Sequence, residues 1–195
     1  MTNATRRIIL PVAGIAVGLL LLLAGILMRQ TVPSVSASGI GGPFRLVDQS
    51  GRSVTEADFR GKPTLVFFGY THCPDVCPTT LASLSQVLGD LGPDKQVAVL
   101  FITVDPERDT PAVLKDYLSS FDPRIVGLTG DPEAVAATLR LYRVYAKKVP
   151  TQGSDYSMDH TGVVYLMNRD GAFVQSFNAE LDRPKDAAAE LSRLL

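Results

Sequence analysis

The residues of this sequence that are best suited to chemistry are two cysteines with three residues between them, in the segment CPDVC at positions 73–77. Residues four apart on a helix share one face with Cβ atoms about 5–6 Å apart, so the sulfurs can converge on a metal ion or on each other. Pro78 follows Cys77 and suits the first turn of a helix. Helix entry favours thiolate over thiol, because free N–H groups and the helix dipole stabilise negative charge there.

The cysteine pair alone leaves several interpretations open. Two cysteines in an exported domain commonly form a structural disulfide. A dithiol redox centre usually has the motif C-x-x-C, whereas here the loop is one residue longer and the chain contains no tryptophan. A peroxidase of the peroxiredoxin type requires threonine or serine three residues before the reactive cysteine, and Tyr70 occupies that position. A structural disulfide, a redox pair and a metal site all remain candidates at this point.

The cysteines lie between a predicted strand and a predicted helix. The strand is the apolar run TLVFFG, residues 64–69, whose composition predicts burial on both faces. Leucines recur at helical spacing after the cysteines, and Gly92-Pro93 predicts the end of that helix. A short hairpin with its turn at Gln49-Ser50-Gly51 is predicted upstream.

The rest of the chain alternates strands and helices. A second buried strand is predicted over residues 96–104, and capping residues followed by proline predict helices from Pro111 to about Phe121 and from Pro132 to about Tyr142. This capping also accounts for most of the segment DPERDTP, residues 105–111. The runs GVVYLM and AFVQSF, joined by Asn-Arg-Asp-Gly, predict a hairpin, and a helix is predicted over residues 184–194. The order predicts an α/β domain with a central mixed sheet flanked by helices, compatible with a thioredoxin-like fold.

His160 is the residue that favours a metal site. It immediately precedes the strand predicted from about Gly162. In a thioredoxin-like fold the start of that strand faces the cysteine loop, at the place where oxidoreductases of this fold have a cis-proline. Two thiolates and one imidazole form a soft, low-coordinate set that suits Cu(I), whereas structural zinc sites take four ligands.

The neighbouring candidates receive simpler interpretations. His72 is interpreted as a solvated loop residue, and Asp75 as an acid that stabilises a helix start. Met158 offers a thioether, but loop methionines more often only make contacts. The segment with Gly153-Ser154 and Tyr156 predicts a mobile loop that carries His160.

The first 29 residues predict a membrane anchor. The run from Ile8 to Met28 contains no charged residue and, as a helix, spans about 30 Å, the thickness of a bilayer core. Cleavage near Val35-Ser36-Ala37 is the alternative, but the apolar run is too long for an ordinary signal peptide. Basic residues before the run predict a single pass through the inner membrane with the N-terminus inside. Residues 30–43 predict a flexible tether, and residues 44–195 a domain in the periplasm or on the outer face.

Charge argues against nucleic acid as a partner. The 195-residue chain has a formal net charge of -1, but its 20 acidic residues all lie beyond residue 30. The domain is therefore mildly acidic and has no electrostatic reason to bind nucleic acid.

Three segments carry a family resemblance. FGYTHCPDVCPTTL at residues 68–81, VDPERDTP at 104–111 and Asp159-His160 with the strand that follows resemble the Sco/SenC family. Members of that family are thioredoxin-fold copper proteins that help assemble the CuA centre of cytochrome c oxidase. The resemblance extends over residues 44–195 and implies Cys73, Cys77 and His160 as the copper ligands.

The function implied is that of a copper-binding assembly factor, or metallochaperone, acting on the CuA site. The expected cargo is Cu(I), with Cu(II) as a second state. The expected partners are the copper-site subunit of the oxidase, a copper donor or thiol reductant, and the membrane through residues 8–28. A thiol-disulfide reductase that keeps the CuA cysteines reduced, and a copper or redox sensor, remain alternatives. Metal delivery is favoured over turnover of a small substrate.

Overall fold

The structure is a computed structural model that describes residues 39–151, 155–179 and 184–194. The predicted anchor, residues 1–29, and residues 30–38 of the predicted tether lie outside this range. Within the described residues, no helix combines the length and apolar character needed to cross a membrane.

A seven-stranded mixed sheet forms the centre of the described domain, with order β2-β1-β5-β4-β3-β8-β9. A separate small sheet contains β6 and β7. The strands are β1 (Arg45–Asp48), β2 (Ser53–Thr55), β3 (Thr64–Gly69), β4 (Ala98–Thr103), β5 (Ile125–Thr129), β6 (Ala146–Pro150), β7 (Tyr156–His160), β8 (Val163–Met167) and β9 (Phe173–Asn178). The pairs β3–β4 and β4–β5 are parallel, and the other neighbours are antiparallel. This confirms the mixed sheet of a thioredoxin-like α/β fold.

The two central strands are buried along their whole length. Every residue of β3 and β4 is buried, as their apolar runs predict for strands covered on both faces. Their parallel register pairs Phe67 with Phe101 and Gly69 with Thr103. Because parallel strands end at the same edge of a sheet, the segments after Gly69 and after Thr103 leave the core side by side.

Four α-helices flank the sheet in the described residues, and a short 3-10 helix (Glu56–Phe59) follows β2. The α-helices are α1 (Val76–Leu91), α2 (Pro111–Leu118), α3 (Pro132–Leu141) and α4 (Pro184–Leu194). Thr110 and Asp131 cap α2 and α3 by accepting hydrogen bonds from Val113 N and Ala134 N, as predicted. Helix α2 ends before the predicted Phe121, because the chain tightens at Ser119, whose N–H donates to the carbonyl three residues back.

Strand β5 was not predicted from the sequence. Its run IVGLT is short and interrupted by Gly127. A Cβ on Gly127 would lie 2.6 Å from Leu118 Cδ1 and 3.4 Å from Leu114 Cβ, so the glycine allows α2 to pack closely on β5. The interruption in the apolar pattern therefore reflects helix packing.

The small sheet corrects the prediction that a loop carries His160. His160 is the last residue of β7 and pairs with Ala146, the first residue of β6. The sequence AKKVP of β6 is largely exposed and has few apolar residues, so it carries no burial pattern that predicts a strand. Gly153-Ser154, part of the same predicted loop, lie outside the described residues.

The start of the described chain contacts the domain. Gly41 N donates a 2.8 Å hydrogen bond to Leu141 O, and Phe44 is buried. The tether over residues 30–43 and the domain start at residue 44 remain predictions.

Candidate metal centre

The cysteine loop begins where β3 ends. It runs from Tyr70 to Asp75 and enters α1 at Val76. A turn closes inside the loop, because Cys73 N donates to Tyr70 O at 3.2 Å. Cys73 is thus placed just before the helix, and Cys77 in its first turn, as the sequence predicts.

The two cysteines face each other with different exposures. Cys77 N donates a 3.4 Å hydrogen bond to Cys73 Sγ. Cys73 is half-buried, whereas Cys77 is completely buried. Gly69 makes room for Cys77, because a Cβ there would lie 2.8 Å from Cys77 Sγ and 2.7 Å from Phe101 Cε2. Cys73 is therefore the sulfur that a partner can reach first.

The asymmetry extends to the protonation of the two thiols. The hydrogen bond from the Cys77 side chain, helped by backbone N–H donors at the helix start, lowers the pKa of Cys73 to about 4 against the opposing effect of burial. The same interaction with the Cys73 thiolate, together with burial, raises the pKa of Cys77 far above that of an ordinary thiol. At neutral pH, Cys73 is a thiolate and Cys77 holds a proton.

His160 lies beside the two cysteines in space, although it is far from them in the sequence. Its Nε2 lies 3.9 Å from Cys77 Sγ, across 83 residues of sequence separation. The ring packs edge-on against Tyr70, with centroids 5.8 Å apart and an interplanar angle of 88°. Its Nδ1 lies 3.2 Å from Thr161 O. A carbonyl can only accept, so the tautomer protonated at Nδ1 donates to Thr161 O, and in that tautomer Nε2 offers its lone pair to a metal ion.

The spacing of Cys77 and His160 is close to that of two ligands on one metal ion. Two donors about 2.0–2.3 Å from one ion lie about 3.6 Å apart, close to the 3.9 Å between Cys77 Sγ and His160 Nε2. Among the described residues, no group of three or more histidine, cysteine, aspartate or glutamate side chains is arranged to hold an ion as it stands. The donor set of two sulfurs and one imidazole matches Cu(I), and binding must draw the three groups together.

Three other predicted candidates lie on the cysteine loop or on the strand that carries His160. His72 is exposed, and its Nδ1 lies 3.1 Å from Thr71 Oγ1. Met158 is partly buried and packs against the hydrophobic core. Asp75 is exposed at the cap position of α1 and makes no side-chain capping hydrogen bond.

The sequence analysis missed Asp109, whose buried carboxylate holds the cysteine loop through hydrogen bonds from Thr71. Asp109 is fully buried and accepts 2.6 Å hydrogen bonds from the hydroxyls of Thr71 and Thr103, as well as a bond from Thr71 N. Burial raises its pKa above the ordinary aspartate value, although these hydrogen bonds oppose the shift. An acid beside a capping threonine is common at helix starts, so the sequence contains no signal that separates this role from capping.

Comparison with known proteins supports a common origin. The family model described as SCO1/SenC matches residues 33–195. The chain is 60% identical to ScoI from Bradyrhizobium japonicum, a structure with copper bound, with a TM-score of 0.76 over 80% of this chain and 99% of that one. It is 42% identical over 152 residues to the mitochondrial SCO1 homolog 1 of Arabidopsis thaliana, covering 77% of this chain and 46% of that protein.

The mitochondrial relatives are longer than the matched segment. The chain also matches the mitochondrial SCO2 homolog of Bos taurus, at 43% identity over 155 residues, 77% of this chain and 58% of that protein. It therefore spans about half the length of these relatives.

Proposed function

The chain belongs to the SCO1/SenC family, and we propose that it binds copper through Cys73, Cys77 and His160 and delivers it to, or prepares, the CuA site of cytochrome c oxidase. The proposal depends chiefly on one observation, the approach of His160 Nε2 to 3.9 Å from the buried sulfur of Cys77. The similar ScoI of Bradyrhizobium japonicum has copper bound, which supports copper as the cargo here.

The order of ligand binding follows from exposure and protonation. Cys73 is half-exposed and already a thiolate, so it is the first ligand that meets incoming Cu(I). Cys77 then loses its proton and His160 Nε2 completes the set. Release proceeds in reverse by ligand exchange, with thiolates of the receiving site replacing these ligands one at a time. Each bond between the ion and this chain is replaced by a bond to the receiving site, so no bare ion is formed.

The binding step is tested with the full-length protein in its reduced form. Cu(I) is titrated against a coloured Cu(I) chelator for the wild type and for the variants Cys73→Ser, Cys77→Ser and His160→Ala. We expect both cysteine variants to lose tight stoichiometric binding and His160→Ala to bind more weakly. His72→Ala is the matched control, because this exposed histidine adjoins Cys73 and should leave affinity unchanged. Tight binding of one equivalent in Cys73→Ser would contradict the proposal.

The delivery step needs a separate assay. The copper-loaded protein is mixed with the metal-free, reduced copper-site subunit of the oxidase, and the visible spectrum of CuA is followed. Appearance of the CuA bands together with loss of copper from this chain is expected. If copper stays on this chain while the subunit remains competent to take free copper, delivery is wrong even though binding holds.

A second function is favoured by the unequal protonation of the two cysteines. A thiolate at Cys73 beside a protonated Cys77 suits thiol-disulfide exchange with a partner disulfide. Cys73 attacks, Cys77 resolves the mixed disulfide, and the chain leaves oxidised while the partner cysteines are reduced. His160→Ala separates the two functions, because exchange does not use the imidazole, whereas loss of this ligand weakens copper binding.

We also propose that the domain is anchored at the outer face of the inner membrane. The uncharged run over residues 8–28 and the basic residues before it support this topology. In fractionated cells the protein should be found with the membranes. In a separate experiment, protease added to intact spheroplasts should remove the domain. Recovery of the full domain in the soluble fraction would contradict an uncleaved anchor.

A further inference from the structure

Arg108 makes an unusual set of contacts for a residue outside the metal centre. It lies between β4 and α2 with its side chain only 17% exposed. Its guanidinium carbon stacks 3.7 Å from the ring centroid of Tyr156 and lies 5.8 Å from that of Tyr70. Its Nε pairs with Asp105, and its Nη1 donates to Tyr156 O at 3.0 Å and to Asp155 Oδ1 at 3.1 Å. Arg108 thus connects the end of the main sheet to the strand that carries His160.

Strand β7 needs such a connection, because its ladder hydrogen bonds go to β6 alone. Neither strand of this small sheet pairs with the seven-stranded sheet. The side chain of Tyr156, at the start of β7, donates to Asp105 Oδ1 at 2.9 Å. A salt bridge between Lys148 and Glu107 also joins β6 to the segment after β4, but both of its side chains are substantially exposed. The less exposed polar attachment is therefore the group of Asp105, Arg108 and Tyr156, which adds to the packing of Met158 against the core.

Strand geometry connects this attachment to His160. Side chains alternate along a strand, so Tyr156, Met158 and His160 share one face of β7. Tyr70 lies between the attachment and the imidazole, since Arg108 lies over its ring and His160 packs against the ring edge. Moving Arg108 would therefore shift the surface on which the imidazole rests.

The attachment is strong but incomplete. Arg108 Nη2 is buried and has no hydrogen-bond partner among the described residues. A buried unsatisfied donor disfavours the closed arrangement, because the same group is hydrated when it is exposed. The contacts thus hold β7 in place while leaving one group that gains water if the strand moves away.

We infer that Arg108 is a positioning residue that sets the copper affinity of the centre through His160, by holding β7 against Tyr70 and Asp105. The inference rests on the proposed copper site. Arg108 itself is not a ligand, and its planar guanidinium is required because it stacks on two rings while it pairs with carboxylates.

The test is a double-mutant comparison in the full-length reduced protein, with Cu(I) affinity measured by chelator competition. Arg108→Gln should weaken affinity by about tenfold or more, the lower bound for residues that orient a metal ligand. In the His160→Ala background the same change should alter affinity by less than about twofold, because the residue through which it acts is gone. Arg108→Lys keeps the charge but not the planar stack, and should resemble Arg108→Gln.

The matched control is Arg124→Gln. Arg124 also pairs with a partly buried aspartate, Asp122. It lies just before β5, at the N-terminal end of the parallel strands, whereas the centre lies at their C-terminal ends. This variant should leave copper affinity unchanged. Equal losses of affinity for Arg108→Gln with and without His160 would overturn the inference and assign Arg108 a general role in stability.

A measurement on the metal-free protein separates this inference from the proposed function. In Arg108→Gln, amide hydrogen exchange should rise in peptides that contain β7 and stay at wild-type levels in those from β3 and β4. If the wild type binds no Cu(I), the proposed function fails, but the exchange data still judge the attachment. Wild-type exchange across β7 in Arg108→Gln would overturn it. If that variant does not fold, Tyr156→Phe, which removes the bond to Asp105, should show a smaller rise in β7, and no rise would count against the attachment.

Discussion

Gly69 is the position where one added methyl group should disturb both stability and metal binding. In the variant Gly69→Ala the new Cβ would lie 2.7 Å from Phe101 Cε2 and 2.8 Å from Cys77 Sγ. Ordinary carbon contacts lie at about 3.5–4.0 Å, so each neighbour must move by close to 1 Å. Phe101 has little freedom, because the rings of Phe67 and Tyr117 each lie 5.9 Å from it.

The expected magnitude follows from that crowding. Adding a methyl group to a well-packed core costs about 1–3 kcal/mol, so the free energy of unfolding should fall by about 2 kcal/mol. If Cys77 Sγ moves instead of the ring, the effect appears in copper affinity, because metal–ligand distances tolerate only about 0.2 Å of error. Denaturant unfolding and Cu(I) competition on the same preparation of reduced full-length protein measure both effects.

Gly89→Ala is the control for replacing glycine by alanine. Gly89 lies inside α1, and a Cβ there meets nothing within 4 Å. This variant should be stabilised by up to about 1 kcal/mol, since alanine favours helix, and should bind copper normally. If Gly69→Ala is as stable as wild type and binds Cu(I) with wild-type affinity, the reasoning about close packing at the cysteine is refuted.

Three further predictions concern protons and buried carboxylates. Copper loading at neutral pH should release about one proton, since the pKa of Cys73 is about 4 and Cys77 is protonated. The logarithm of the apparent Cu(I) affinity should therefore rise by about one per pH unit, and an affinity that does not change with pH would contradict this. Burial raises the pKa of Asp48, but hydrogen bonds within the β1–β2 turn outweigh it and hold the value at about 2. Because this folded-state pKa is depressed, the carboxylate stabilises the fold by about 2 kcal/mol above the unfolded value of about 3.9, and this stabilisation is lost as pH falls towards 2. Urea unfolding of Asp48→Asn should therefore show a lower free energy of unfolding than wild type at pH 7, and the difference should disappear between these two pH values. A difference that does not change with pH would argue against the carboxylate. Asp109→Ala should lower the free energy of unfolding by about 3 kcal/mol, because it leaves the donors of Thr71 without an acceptor. The same variant should shift the ultraviolet titration of the Cys73 thiolate, and an unshifted titration would mean that other contacts hold the cysteine loop.

Most of the central architecture follows from local patterns. The strands over residues 64–69 and 98–103 are continuous apolar runs, and the starts of α2 and α3 have a capping side chain followed by proline. These signals depend on neighbours in sequence, so one chain is enough to read them. Strand β5 and the small sheet escaped prediction because Gly127 is present for helix packing and β6 is exposed.

The metal centre divides in the same way. The spacing of Cys73 and Cys77 at a helix start is a local feature, and it predicts converging sulfurs from the sequence alone. The position of His160 as a neighbour of that pair could be proposed only by assuming a fold. The roles of Asp109 and Arg108 were not predicted at all, because the groups that they bind lie in other segments of the chain.

The sequence by itself determined the donor types, the strand and helix that carry the cysteines, and the family. Tertiary structure decided that an imidazole 83 residues away lies 3.9 Å from a buried sulfur. It also decided that one cysteine is half-buried and ionised while the other is fully buried and protonated. The physical reason is that pKa values and ligand distances depend on burial and on contacts between distant segments, whereas helix capping and strand patterns depend on residues a few positions apart.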